Sequence, residues 1–508
     1  MPVNPLPPKP DLGKLKETAK LLRDLVRSGV SGAIELVGDH HPRLGDLSPG
    51  SAAASGFTLA DAQLTIARHH GLASWPALRR HVEGINKLTR SPHLQPIGTV
   101  LTTDGERADE LLRLACLTYG ADDPDRPAAA ARLLAEYPAL AQASVFTMAA
   151  VGDHLALADL VAADPTAANR SGGPFQWEPL VYAAYSRVES PNPSHDTYLG
   201  ARVLLGAGAD PNAGYLWEGE CSFTALSGAF GRGEGFQPPH PRSMDLARLL
   251  LDAGADANDS QAVYNCGAGD LARDDTEWLE LLLDHGLGGG DGGPWKRRLG
   301  VRGASPLELV ADALHNAAAA GLPRRARLLL DRGADPNRRS THPIYAGRSL
   351  YESAVLHGNL DIAQWLAEAG ADTSGVDAAG LLIGRCLSGD ASVANLDAVV
   401  TASIRAGRPD LVARAAELQR PAAIRLLVGL GWDVNHLHRT TALHEAALRG
   451  NLALVQLLVA VGADPTIRDT DHDSTPQGWA DHGGHSDVVA YLATMTPATR
   501  PENSPAEK

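Results

Sequence analysis

Thr441–Ala447 reads TALHEAA, Arg449–Asn451 reads RGN, and Leu454–Asp464 reads LVQLLVAVGAD. A threonine ahead of an apolar run predicts a helix start, because its hydroxyl can satisfy a backbone N–H that the helix leaves orphaned. Leu443, Ala446 and Ala447 then form a thin apolar face at helical spacing, and Gly450 supplies the left-handed stop. A second helix carries Ala453, Val455, Leu457 and Leu458, ends at Gly462, and runs into an Asp464-Pro465 turn. Two short helices and a turn cannot bury their own apolar face. Such a unit must stack on copies of itself.

Weaker copies of the closing turn recur upstream. They are Gly208-Ala209-Asp210-Pro211-Asn212, Gly254-Ala255-Asp256-Ala257-Asn258, Gly333-Ala334-Asp335-Pro336-Asn337, Gly370-Ala371-Asp372 and Gly431-Trp432-Asp433-Val434-Asn435. Gly431 and Gly462 stand 31 residues apart. Gly208 to Gly254 spans 46 residues and Gly286 to Gly333 spans 47, each one repeat plus an insertion. The series resembles the ankyrin repeat family, whose unit is about 33 residues. The resemblance is most specific over Thr441–Pro465 and implies an all-α solenoid of stacked helix pairs that works through a binding surface. It also implies that His444 ties neighbouring repeats together through backbone hydrogen bonds.

Helical periodicity extends the array to residues 105–495, in about eleven pairs: 106–137, 144–165, 179–210, 223–256, 261–287, 305–335, 349–372, 377–400, 409–433, 441–464 and 475–494. Insertions fall at 211–243 and 287–304. Ahead of the array, residues 1–57 read as a proline-rich, extended leader, one helix near Leu15–Val26 and a Gly/Pro/Ser-rich loop. Residues 58–90 (TLADAQLTIARHH, then SWPALRRHVEGI) predict two helices capped by Thr58 and Ser74. This module resembles one at the front of many bacterial ankyrin-type proteins. Residues 91–104 read as a linker and 496–508 as a disordered tail.

Composition bounds the function classes. The 508 residues carry 45 basic and 60 acidic side chains, a formal charge of −15 that disfavours non-specific nucleic-acid binding. No apolar run reaches the length of a membrane helix, and the four cysteines are widely separated, as expected of a soluble, reducing, cytoplasmic setting. No catalytic motif is present: there is no G-x-S-x-G elbow, no H-E-x-x-H and no nucleotide fingerprint. The expectation is a non-enzymatic scaffold, without cofactor or metal, that binds a protein partner; the oligomeric state is left open, with a monomer favoured. His482 and His485, at i, i+3 beside several aspartates, are the best metal candidates, but the repeat pattern accounts for them. Gly286–Gly293 follows a helix and precedes no Lys-Ser/Thr, so it is a poor phosphate loop.

Aromatics make up only 5% of the chain, so their clustering around the insertions is informative. Tyr215, Trp217, Glu220, Phe236 and His240 lie in the first insertion, with Trp177, Tyr185 and Arg187 one repeat before and Asp259, Gln261, Tyr264 and Asn265 just after. Read functionally, these residues form a partner-binding lip with aromatic anchors along the concave groove. The competing reading is that the loops fold back and seal a gap between irregular repeats. Lys296, Arg297, Arg298, Arg302, Arg338 and Arg339 occupy equivalent loops and define a candidate anion or nucleic-acid patch. Its rival is a solvated basic face. A small-ligand or anion site made by the irregular repeats 179–348, enzymatic or not, is the remaining alternative, and an enclosed pocket there would favour it.

Overall fold

The computed structural model describes residues 4–98, 101–120, 122–233, 235, 237–267, 274–340, 345, 347–395 and 398–495. Phe236 and the 496–508 tail lie outside them. The chain divides into two compact units, Met1–Ala313 and Leu314–Lys508. Each is built from stacked antiparallel helix pairs, so the fold class is all-α with a repeat architecture.

The second unit holds the regular repeats. Helix Ala442–Leu448 starts at a Thr441 capping box whose third residue is His444, and helix Leu452–Ala460 starts at Asn451. His444 is fully buried: Nδ1 meets Thr441 Oγ1 at 2.8 Å and Nε2 meets Ser474 O at 3.0 Å, so one ring joins its own repeat to the next. Gly450 takes φ +67, and a Cβ there would stand 2.3 Å from His485 Nδ1. Glycine is therefore demanded by both backbone and space.

The closing turns carry a ladder that explains their sequence. Asn435 Nδ2 donates to Gly462 O at 3.0 Å, and its Oδ1 accepts from Asp464 N at 2.8 Å. Asn337 does the same to Gly370 O and Asp372 N. In the first unit Asn169 joins Gly208 O and Asp210 N, and Asn212 joins Gly254 O and Asp256 N. Each turn aspartate in turn accepts from the backbone N–H two residues on, as Asp433 does from Asn435 at 2.9 Å. The Gly-Ala-Asp-x-Asn signature is thus one rung: Asp shapes the turn, and Asn reaches across to the following one.

Packing across the regular repeats is apolar. Leu443, Ala446, Ala447, Leu454, Val455 and Leu458 belong to one core cluster with Ile424, Leu427 and Val488. Leu458 is completely buried, so Leu458→Ala is expected to cost about 2–5 kcal/mol. The loosening should concentrate in the C-terminal repeats, because coupling in such arrays is nearest-neighbour. Hydrogen exchange that rises uniformly along the chain would contradict this.

The first unit departs from the sequence reading in three places. The stretch read as a loop up to Gly56 contains helix Ser31–His40 and the short helix Ala52–Ser55, because Ala33, Ile34 and Val37 pack with Phe57 and Ile66. The leader is docked rather than loose. Leu6 is buried with Ala67, Leu78 and Val82, Asn4 N donates to His69 O at 2.9 Å, and Asn86 Nδ2 donates to Pro10 O at 3.0 Å. The first insertion is a β-hairpin, not an open loop.

In that hairpin, strand β2 (Gly214–Trp217) pairs antiparallel with β3 (Cys221–Thr224), and β1 (Thr89–Arg90) adds in parallel against β2. Glu218 and Gly219 turn the hairpin with φ +52 and +78. The leader crosses so close that a Cβ on Gly219 would stand 2.3 Å from Pro8 O. Helix Trp75–Leu88 of the N-terminal module and helix Gly293–Leu299 of the second insertion complete the assembly. Ile85, Leu216, Trp295 and Leu299 form its apolar centre. Both insertions therefore act as the seat of the N-terminal module.

Candidate functional site

Helix Pro179–Tyr185 is buried at every residue. Just ahead of it, the Trp177 ring stacks on Tyr215 of the hairpin at 4.8 Å and tilts against Phe175 at 4.4 Å, and the helix's own Tyr185 tilts against Tyr215 at 6.1 Å. Tyr119 packs edge-on to Phe223 at 4.7 Å. Trp177 is 1% exposed, Tyr185 0% and Tyr215 2%, so these three build a core and present nothing to a partner. The reading of them as partner anchors is corrected. The loops fold back and seal the irregular repeats, with the N-terminal module as their cover.

The polar members of the set are buried with them. Arg187 is enclosed, and its guanidinium donates to four backbone carbonyls: Pro238 at 2.8 Å, Ala184 at 2.9 Å, Ser186 at 2.8 Å and Gly228 at 2.7 Å. Burial pulls its pKa down to about 10, so it stays cationic at neutral pH. It ties helix Pro179–Tyr185 to helix Ala225–Phe230 and to the 231–241 loop. His240 bonds Thr197 Oγ1 at 2.7 Å and accepts from Arg242 N at 3.0 Å. Burial, with the nearby Arg187 charge, lowers its pKa to about 3 and keeps it neutral.

Asp259 accepts from Thr224 Oγ1 and, at 2.9 Å, from Ala262 N, which makes it the cap of helix Ser260–Gly267. Burial raises its carboxyl to about 6. Asn265 is fully buried and accepts from Gln261 Nε2 at 2.9 Å. Between this cap and the second insertion lies a cavity of about 10 Å³ lined by Asn212, Thr224, Asp259 and Trp295. That is room for about one water. It gives no support to an enclosed small-ligand site there.

The rim stays accessible. Glu220 is exposed, Tyr264 is 39% exposed, and Gln261 and Trp217 are half-buried. Trp217 donates Nε1–H to Thr118 O at 3.0 Å and stacks on His93 at 4.7 Å. His93 sits in the segment read as a linker, and Glu218, beside it at 3.7 Å, also pairs with Lys9 of the leader. The sequence reading missed Lys9, Ile85, His93 and Leu216 because their role depends on contacts far along the chain.

The basic residues are largely engaged at home. Lys296 Nζ donates to Gly303 O, and Arg297 pairs with Asp291 at 2.7 Å. Arg298 lies over the Trp295 ring at 4.6 Å, and Arg302 donates to Gly219 O at 2.8 Å. In the second unit Arg339 donates to Gly347 O at 3.0 Å, and Arg338 Nε is buried without a hydrogen-bond partner among the described residues. Lys296 and Arg302 thus hold loop carbonyls rather than an open anion site.

Histidine burial gives the second unit a pH dependence. His315 is fully enclosed, with Nε2 on Ser353 Oγ at 2.6 Å and its ring stacked on Tyr345 at 4.3 Å. Burial, then the His357 and Arg348 charges, lowers its pKa to about 4. An unfolded histidine titrates near 6.5, so between about pH 6.5 and 4 the unfolded chain binds a proton that the folded one does not. Falling pH through that window therefore destabilises the fold, by at most about 1.4 kcal/mol per pH unit from this residue. Urea denaturation across that range should show a flatter slope for His315→Gln; an unchanged slope would remove His315 from the account.

Two models of the family match the chain: "Ankyrin repeats (3 copies)" over residues 412–500 and "Ankyrin repeat" over residues 312–341. Among similar curated proteins is the Notch-regulated ankyrin repeat-containing protein of Xenopus tropicalis, 46% identical over 59 residues, which are 11% of this chain and 46% of that one. Protein phosphatase 1 regulatory subunit 27 of Mus musculus is 43% identical over 63 residues, 12% of this chain and 40% of that one. Potassium channel AKT3 of Oryza sativa subsp. japonica is 39% identical over 88 residues, 16% of this chain and 10% of that one. The chain spans about half the length or less of these relatives. The Asn ladder, the His444 tie and the matched residues agree: the chain carries ankyrin repeats over residues 312–341 and 412–500.

Proposed function

We propose that the protein is a non-enzymatic scaffold that holds a protein partner against the groove-side helices and turn tips of its regular repeats. The observation that carries this is the rigid ladder of the second unit, which fixes its turns while leaving their tips open: Leu437 is 38% exposed, and His438 and Arg439 are exposed beside it. Preorganised apolar and charged groups on a stiff frame lose little entropy on binding. The names of two relatives, a Notch-regulated protein and a phosphatase regulatory subunit, fit a role in regulation through contact. In the first unit the accessible rim residues Glu220, Gln261 and Tyr264 remain candidate contacts, whereas Trp177, Tyr185, Arg187, Tyr215, His240, Asp259 and Asn265 serve stability.

The test is affinity capture from the native lysate with mass spectrometry, comparing the wild type with Leu437→Asp/Arg439→Glu and with Glu220→Arg/Tyr264→Ala. Loss of a specific protein with the first variant, at unchanged helicity, is the expected result. A partner retained by both variants would place the contact elsewhere.

A further inference from the structure

The leader is fastened to the N-terminal module on both sides of Lys9. His70 Nδ1 donates to Asn4 O at 2.7 Å, Leu6 is buried with Ala67, Leu78 and Val82, and Asn86 Nδ2 donates to Pro10 O at 3.0 Å. Between these anchors the leader crosses the tip of the hairpin, where Lys9 pairs with Glu218 and Pro8 O lies against Gly219. A leader held at both ends passes any pull on Lys9 to the whole module.

Three separate segments converge on Glu218. Its N–H donates to Arg90 O at 3.0 Å, its carboxylate pairs with Lys9 of the leader, and His93 Nε2 stands 3.7 Å from Oε1. Its backbone lies in the left-handed region at φ +52, which a residue with a Cβ disfavours. The turn by itself would favour glycine or asparagine there, so what glutamate adds is its carboxylate. Strain at a residue whose side chain serves remote segments marks a working part. The ion pair is also partly open to water, with Lys9 54% and Glu218 21% exposed, so it is weak and screened by salt. Such a catch holds and releases under modest changes.

We propose that Glu218 and the leader form an ionic latch that gives the first unit a closed and an open form. Closed, the latch keeps β1 on β2 and Ile85 on Leu216, Trp295 and Leu299. Open, the module lifts from the hairpin and stays folded on its own core around Ile34, Phe57 and Ile66. Lifting lays bare the apolar seat of Leu216, Trp295 and Leu299. The latch is independent of the partner-binding reading, which rests on the turn tips of the second unit.

Hydrogen exchange of the full chain, read at the peptides that carry Arg90 and Glu218, tests this. Lys9→Glu and Glu218→Lys should each speed exchange there by about three- to tenfold. Helix Leu59–His69 and helix Pro179–Tyr185 should keep their wild-type rates. The double reversal restores opposite charges and should bring exchange back toward the wild type. Raising sodium chloride from about 0.05 M to about 1 M should speed exchange at these peptides in the wild type and leave Glu218→Gln unchanged. Wild-type exchange in both single reversals, a double reversal no slower than the faster single, or an equal salt response in Glu218→Gln would overturn the proposal. So would a matching loss of protection in helix Pro179–Tyr185, because the unit would then be unfolding rather than opening.

Discussion

An Arg187→Ala variant should lose on the order of 4 kcal/mol of stability in the first unit. The guanidinium fills a closed space and satisfies the carbonyls of Ala184, Ser186, Gly228 and Pro238. Alanine removes every one of those donors while leaving the oxygens inside, and an unsatisfied buried acceptor costs about 1–3 kcal/mol. Arg187→Lys separates charge from shape: one ammonium keeps the cation but cannot span acceptors on three segments, so an intermediate loss is expected. Chemical denaturation followed by tryptophan fluorescence reads both variants. A loss under about 1 kcal/mol for the alanine variant would mean that water reaches those carbonyls.

Trp177→Ala should cost about 3–5 kcal/mol, the range for deleting a large buried aromatic. Trp177 is enclosed by Phe175, Tyr182, Tyr185 and Tyr215, with ring centroids within 5.3 Å. Trp217→Ala is the internal comparison: that indole is half-buried and rests on His93, so a clearly smaller loss is expected. Equal losses would argue that the hairpin and the helix core unfold as one block with no gradient in packing.

These two residues also show how far the sequence could be read. The repeat was legible because each of its features acts locally: Thr441 caps, Gly450 stops, and Asp464 turns within a few residues of its own position. The helix pairs followed from periodicity for the same reason. What Trp177 or Arg187 faces is a different kind of fact. An aromatic cluster outside the helix pattern has the same sequence signature whether it is a binding lip or a sealed core. Only the cover decides between them, and here Ile85 and the leader supply it from more than a hundred residues away. The basic loop residues illustrate the same limit, since Arg302 is spoken for by a carbonyl at Gly219, which no spacing rule reveals. The hairpin was missed because strand pairing in a helical array has no local period to betray it.

The seat of the N-terminal module imposes an order on synthesis. β1 at Thr89–Arg90 pairs with β2 at Leu216–Trp217, and Ile85 packs on Leu299. At about 5–20 residues per second, the ribosome needs roughly 10–40 s after making Ile85 before Leu299 exists. Through that interval the Ile85 face of helix Trp75–Leu88 lacks the surface it docks on, while the helices ahead of it can already pack through Ile34, Phe57 and Ile66. The module's own core can form early; its seat is completed late.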